Sequence, residues 1–280
     1  MNKRIFWLLL LLPILAVGLY LFFSAPEESP ELPLPPPPVA ESEPESAIRY
    51  PVPETAPVIP DDALELTAEP EEILPETEPE EPLPALEDSD GPMIQVYEEL
   101  FGEPALERWF NLANPVRHMV ATIDNAGREK MAVKQRPLKP VEGSFLVEGD
   151  DERMVIHPDN SHRYMPYVRL AEALDLDRMA ERYFRFYPLF QQAYEELGYP
   201  DAYFNDRLVE VIDLLLATPE PRRPVVLVRP HVLYEYADPE LEALTAGQKI
   251  LIRVGPDNAA RLKARLRELR ALLVGGAPSG

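Results

Sequence analysis

Residues 176–197, LDRMAERYFRFYPLFQQAYEEL, decide what kind of domain this chain contains. Leu176, Met179, Tyr183, Tyr187, Phe190, Tyr194 and Leu197 follow one another at intervals of 3, 4, 4, 3, 4 and 3, the repeat of one helix face. Asp175 or Asp177 suits the N-cap, and Gly198 stands just past the end, where a left-handed residue closes many helices. Pro188 has no N–H to give, and its ring crowds the carbonyl four residues back, so a kink or a break into two helices is expected there.

The same periodicity extends in both directions. A helix is predicted from near Asp201 to about Ala217, with Phe204, Leu208, Val211 and Leu215 on its buried side and Thr218-Pro219 as its stop. A last helix begins around Pro256, a first-turn proline after Gly255, and lines up Leu262, Leu266, Leu269 and Leu273. Upstream, residues 93–101 and 105–113 read as two short helices around Gly102. Residues 116–124 read as helix, although their Val, Thr and Ile leave a strand open. Residues 144–147 and 154–156, joined by Glu148-Gly149-Asp150-Asp151, read as a β-hairpin, and residues 224–228 and 231–236 as a second extended pair interrupted by Pro230. The expected fold is a mainly α globular domain over 92–274 with one or two short β-hairpins, followed by a flexible tail, 275–280.

Ahead of this domain the composition changes. Residues 24–91 form a linker, and between Ser24 and Asp90 lie 20 acidic residues, a single basic one (Arg49) and 17 of the chain's 34 prolines. The domain is only mildly acidic, so most of the net charge of −22 belongs to the linker. Charge repulsion, proline and low hydrophobicity predict a disordered acidic spacer, spanning roughly 45–50 Å as a flexible coil and roughly 200 Å fully extended. Residues 5–23 carry no charge and follow Lys3 and Arg4 in a short tip, 1–4. A helix of that length measures about 29 Å, close to the thickness of a bilayer's hydrocarbon core. The bias of positive charge predicts a single membrane span from Ile5 to Phe23, a cytoplasmic N-terminus and an exported bulk. A cleaved signal peptide fits less well, because the apolar run is long and Phe23 falls where a small residue is wanted. The absence of cysteine excludes disulfides, thiol catalysis and thiolate metal sites.

Chemistry has few places to sit. Asp206, Glu210 and Asp213, spaced 4 and 3, share one helix face opposite Leu208, Val211 and Leu215. They are either a solvated face relieved by cations such as Arg207, or a set of acids for general acid–base attack on a glycan. His157-Pro-Asp159-Asn-Ser-His162 gathers two imidazoles and a carboxylate, but the spacing fits no recognised zinc pattern and Pro158 favours a turn, so no metal site is assigned. No serine stands in a nucleophile-elbow context, and no cofactor is expected. The aromatics between Tyr183 and Phe204 read mainly as core. Those off the stripe, with Tyr164, Tyr167 and Arg163, leave a sugar-stacking groove open. Tyr199, Tyr203, Asn205 and Arg207 are the candidate binding residues. Arg261, Lys263, Arg265, Arg267 and Arg270 read as a solvated basic face of the last helix, with contact to an anionic partner as the alternative. Nucleic acid is not expected, since the domain is net negative and no groove-reading motif occurs.

Two strings, YEELGYPDAYFNDRLVEVID (194–213) and LVRPHVLYEYADPELEALTAGQKILIRVGPDN (227–258), resemble the bacterial family numbered 3014 among the domains of unknown function. The plan of a single span, a proline-rich acidic linker and a domain of this length is similar too. The resemblance implies a Gram-negative inner-membrane protein with its bulk in the periplasm, and no known activity, cofactor or catalytic residue. Together these readings predict a non-enzymatic, membrane-anchored envelope protein that binds an envelope protein or peptidoglycan. The alternative is an envelope glycan hydrolase using Asp206, Glu210 and Asp213.

Overall fold

The computed structural model describes residues 48–52, 82–129, 137–139, 141–150 and 153–275. A 3-10 turn, Leu86–Asp88, leads into helices α1 (Asp90–Phe101), α2 (Glu103–Trp109) and α3 (Pro115–Ala126). Strands β1 (Val147–Asp150) and β2 (Arg153–Ile156) precede α4 (Asn160–Glu172), α5 (Leu176–Glu196) and α6 (Phe204–Leu216). Strands β3 (Val226–Val228) and β4 (Glu235–Tyr236), the short helix α7 (Pro239–Glu242), α8 (Ala246–Arg253) and α9 (Pro256–Gly275) complete the order.

The helical stripes meet in one core. Helix α3 packs on α5 and α6, while α9 lies along α4, α6 and α5. Ile123, Ala126, Phe204, Val209, Val211 and Ile212 are fully buried where these helices meet. Helix α5 runs unbroken through Pro188, so of the expected kink or break into two helices the break does not occur. The residues around that proline explain this: Phe184, Phe186, Leu189 and Phe190 all enter the core, and burial of each large apolar side chain stabilises by about 1.5–3 kcal/mol. Together they outweigh the roughly 3 kcal/mol that an interior proline costs. Of the off-stripe aromatics, Phe184 and Phe186 are buried, as are Tyr164 and Tyr167, whereas Tyr199 and Tyr203 are half-buried.

The two extended pairs form a single four-stranded antiparallel sheet in the order β1-β2-β3-β4, because β2 pairs with β3 through Met154–Leu227 and Val155–Val226. Beneath it sits a smaller cluster of Ile156, Val225, Leu227, Tyr236, Leu241 and Ile252. The first strand lies later than its composition suggested: Glu148, Gly149 and Asp150 belong to β1 and not to the turn. Gly149 has φ +107°, and a Cβ there would stand 2.0 Å from the Arg153 carbonyl oxygen, so only glycine fits this rung.

Other boundaries move for local reasons. Helix α6 starts at Phe204 and not near Asp201, and α2 ends at Trp109, short of Ala113. The basic residues of α9 are not a uniformly solvated face. Lys263 Nζ donates to the Thr218 carbonyl at 2.6 Å, and Arg265 donates to the carbonyls of Ala171 and Leu174. These carbonyls lie at or just beyond the C-terminal ends of α6 and α4, where orphan acceptors and the helix dipole favour a cation. Folded structure also starts before residue 92: Leu86 is buried, and Tyr50 and Val52 pack against the main core. No helix among the described residues is long and apolar enough to cross a membrane, and the expected span at 5–23 lies outside the described residues.

Candidate functional site

The first turn of α6 is where the candidate residues converge. Its N-cap residue, Tyr203, has an extended backbone and makes no side-chain cap bond. Gln191 of α5 takes over that task, its Oε1 accepting the Phe204 N–H at 2.9 Å while its Nε2 donates to the Ala202 carbonyl at 2.9 Å. Tyr187, whose hydroxyl pKa burial pushes up to about 12, donates to the same Oε1. The helix start is therefore fixed from the neighbouring helix, and the side chains of Asn205 and Asp206 are free to do something else.

They hold residues 48–52. Asp206 accepts the backbone N–H of Tyr50 at 2.8 Å on one carboxylate oxygen and that of Arg49 at 3.0 Å on the other. Asn205 donates its Nδ2 to the Tyr50 carbonyl at 2.9 Å. The buried hydroxyl of Tyr183 donates to Asn205 Oδ1 at 3.0 Å, which fixes the amide with its NH₂ toward the segment. Asp206 is only 7 % exposed and stands in the first turn, where a helix favours negative charge. The Arg49 guanidinium, 3.9 Å from Asp206 and 67 % exposed, adds little to this. The Tyr50 and Val52 side chains turn inward, whereas Arg49 and Pro51 face solvent.

A second constellation lies alongside. Asp124 of α3, 3 % exposed, receives Arg207 Nε at 3.1 Å on one oxygen, and Arg128 Nη2 at 2.6 Å and the Tyr199 hydroxyl at 3.3 Å on the other. Arg128 also donates to that hydroxyl. Arg207 Nη2 donates to the Asp124 carbonyl at 2.9 Å, lying over Gly127, where a Cβ would come within 2.7 Å of it. Burial works against the charge of Arg207, yet Asp124 and Glu210 raise its pKa overall. Tyr199 stacks on Tyr194 with centroids 4.5 Å apart, and burial, aided by the Asp124 charge, pushes its hydroxyl pKa up.

The three acids of α6 thus have three separate partners. Asp206 binds main chain, Glu210 pairs with Arg207 at 3.1 Å, and Asp213 takes a two-pronged contact from Arg270 at 2.5 and 2.9 Å. Asp213 raises the Arg270 pKa, with a smaller contribution from Tyr50. His157 and His162 flank Asp159, His157 Nδ1 accepting the Asp159 N–H at 3.1 Å, and no group of three or more metal-ligating side chains occurs among the described residues. The cleft beside them, about 520 Å³, also contains Arg223 and Arg253. Both arginines have structural partners: Arg223 bonds the Ile252 carbonyl, and Arg253 lies over Phe145 and Tyr236.

Of the expected binding residues, Asn205 touches the segment directly. Arg207 and Tyr199 belong to the Asp124 network, and Tyr203 contributes backbone, its carbonyl accepting the Arg207 N–H. Asp124 and Tyr50 were missed. For Tyr50 a signal exists: it is the single aromatic residue between Ser24 and Asp90, and Arg49 beside it is the single cation.

Neither the curated proteins nor the solved structures contain a match to this chain. A family model described as "Protein of unknown function (DUF3014)" matches residues 115–270, which take in Asp124, Asn205, Asp206, Arg207, Asp213 and Arg270 but not the docked segment. That match covers more than half of the chain, and the protein belongs to this family.

Proposed function

We propose that this protein is a single-span bacterial inner-membrane protein whose helical domain is a non-catalytic binding module in the periplasm, serving an envelope protein or peptidoglycan. The observation that carries the reading is the contact between Asn205–Asp206 and residues 48–52: polar side chains at a helix start are spent on another segment's backbone groups. Such contacts suit a polypeptide partner better than a glycan, because they satisfy peptide N–H and C=O groups. Support for the anchor comes from the uncharged run 5–23 behind Lys3 and Arg4, and for reach from the acidic, proline-rich residues that follow. A glycan hydrolase drawing on Asp206, Glu210 and Asp213 is the other reading these carboxylates admit. Their engagement weighs against it, since a general acid must have its carboxyl free to reach the leaving-group oxygen, and each of these three is held by a partner within the fold.

Protease added to intact spheroplasts is expected to digest the part beyond residue 24, and complete protection of that part would overturn the placement. Purified full-length protein incubated with peptidoglycan is expected to release no soluble fragments. Fragment release that disappears in Glu210→Gln would replace the binding module with the hydrolase.

A further inference from the structure

Residues 48–52 lie in the acidic linker, are separated from the next described residue by 29 others, and are nevertheless seated on the domain by three main-chain hydrogen bonds and two inward side chains. We propose that the first turn of α6 is a recognition site for short peptides of the pattern aromatic–proline–β-branched, and that the chain's own Tyr50-Pro51-Val52 is an intramolecular occupant which a partner protein's peptide displaces. This rests on the reading of the domain as a binding module and names its ligand.

The chemistry of the seat defines the pattern. Asp206 takes two consecutive N–H groups and Asn205 the carbonyl of the second residue, so these contacts select a backbone shape and not a side chain. Selectivity then falls on the two inward positions: Tyr50, which also feels the Arg270 cation, and Val52. The residue between them faces solvent, and the two carboxylate oxygens of Asp206 are taken by the N–H groups of residues 49 and 50, so proline, which has no N–H to satisfy, is accommodated and its fixed φ lowers the entropy lost on docking. Position 49 faces solvent and is free to vary.

Tethering sets the regulation. A tether of this kind presents its own segment at an effective concentration of about 1 mM, so an intrinsic dissociation constant of about 0.1 mM keeps the seat mostly occupied and weakens any outside peptide about tenfold. A partner therefore competes best when it is itself concentrated at the membrane or multivalent.

The test uses full-length protein in detergent and a labelled peptide of residues 46–54, SAIRYPVPE. The double variant Tyr50→Ala/Val52→Ala opens the seat and is expected to bind the peptide about tenfold more tightly than wild type. Adding Asn205→Ala and Asp206→Ala should abolish that gain, and a scrambled peptide should not bind. Equal affinity for wild type and a folded opened variant, or equal binding of the scrambled peptide, would overturn the proposal. Should the opened variant lose its thermal transition, a specific protease sequence placed within 53–81 leaves the native segment intact and converts it on cleavage into a free ligand. Peptide affinity must then rise about tenfold on cleavage, and an unchanged affinity overturns the proposal. Either negative result leaves the binding module to stand or fall on the peptidoglycan and spheroplast experiments.

Discussion

Asp124→Ala is expected to destabilise the domain by about 3 kcal/mol, the lower end of what removing one partner from a buried ion pair costs. Asp124 is 3 % exposed and the Arg207 side chain 16 %, so the substitution strands a guanidinium in a place built around an anion. The figure sits at the lower end for two reasons. Arg207 keeps its bond to the residue-124 carbonyl, and Glu210, half exposed at 3.1 Å, still balances part of the charge. Arg128 contributes less to the loss because its side chain is 50 % exposed and returns to water. For a domain of this size about 2–4 °C of melting temperature accompanies each kcal/mol, so thermal denaturation should fall by roughly 6–12 °C.

The double variant Asp124→Ala/Arg207→Met separates this account from simple loss of packing. Replacing both members of a buried pair by apolar groups is often close to neutral, so the double variant should be more stable than Asp124→Ala alone. Additive losses would mean that the two residues do not act as a pair. A fall of less than about 2 °C for the single variant would mean that water already shares the carboxylate.

Helical periodicity reports on faces, and the faces it marks are the buried ones: Leu176 to Tyr194 on α5, Phe204 to Leu215 on α6 and the four leucines of α9 reach the core, whereas Leu197, at the end of the α5 stripe, is exposed. Periodicity is silent about length of contact across the chain. Arg128 stands four residues after Asp124, a spacing visible in the sequence, but nothing near Asp124 announces its partners at 199 and 207, because those three contacts join different elements that only the tertiary fold brings together. The helix continues through Pro188 for a related reason, since local backbone preference takes no account of the four buried side chains around it. Helix α8 was overlooked although Thr245 and Gln248 carry the spacing of a capping box, and both reciprocal bonds form. The joining of two hairpins into one sheet depends on a pairing between residues 154 and 227, beyond the reach of any local pattern. The acidic linker hid its docked segment because composition averages over residues, and Arg49-Tyr50 is too short to alter the average.

Phe204→Ala should have the larger effect, about 4 kcal/mol, within the roughly 3–5 kcal/mol range for deleting a buried phenylalanine ring. Phe204 is 0 % exposed, lies nearly parallel to Phe190 at 5.8 Å and meets Tyr194 at 5.6 Å, so its removal empties a space walled by rings that cannot collapse inward freely. A drop of roughly 8–16 °C in melting temperature is expected. Phe204→Leu keeps most of the volume and should cost about half as much. The residue also precedes Asn205 and Asp206 and gives its N–H to Gln191, so it anchors the turn that presents them. Loosening that turn should release residues 48–52 at a temperature below the global transition, seen as early protease cleavage after Arg49. If cleavage after Arg49 and global unfolding stay coincident in Phe204→Ala, the docked segment is part of the cooperative core, and its exchange for a partner peptide would then require the whole domain to open.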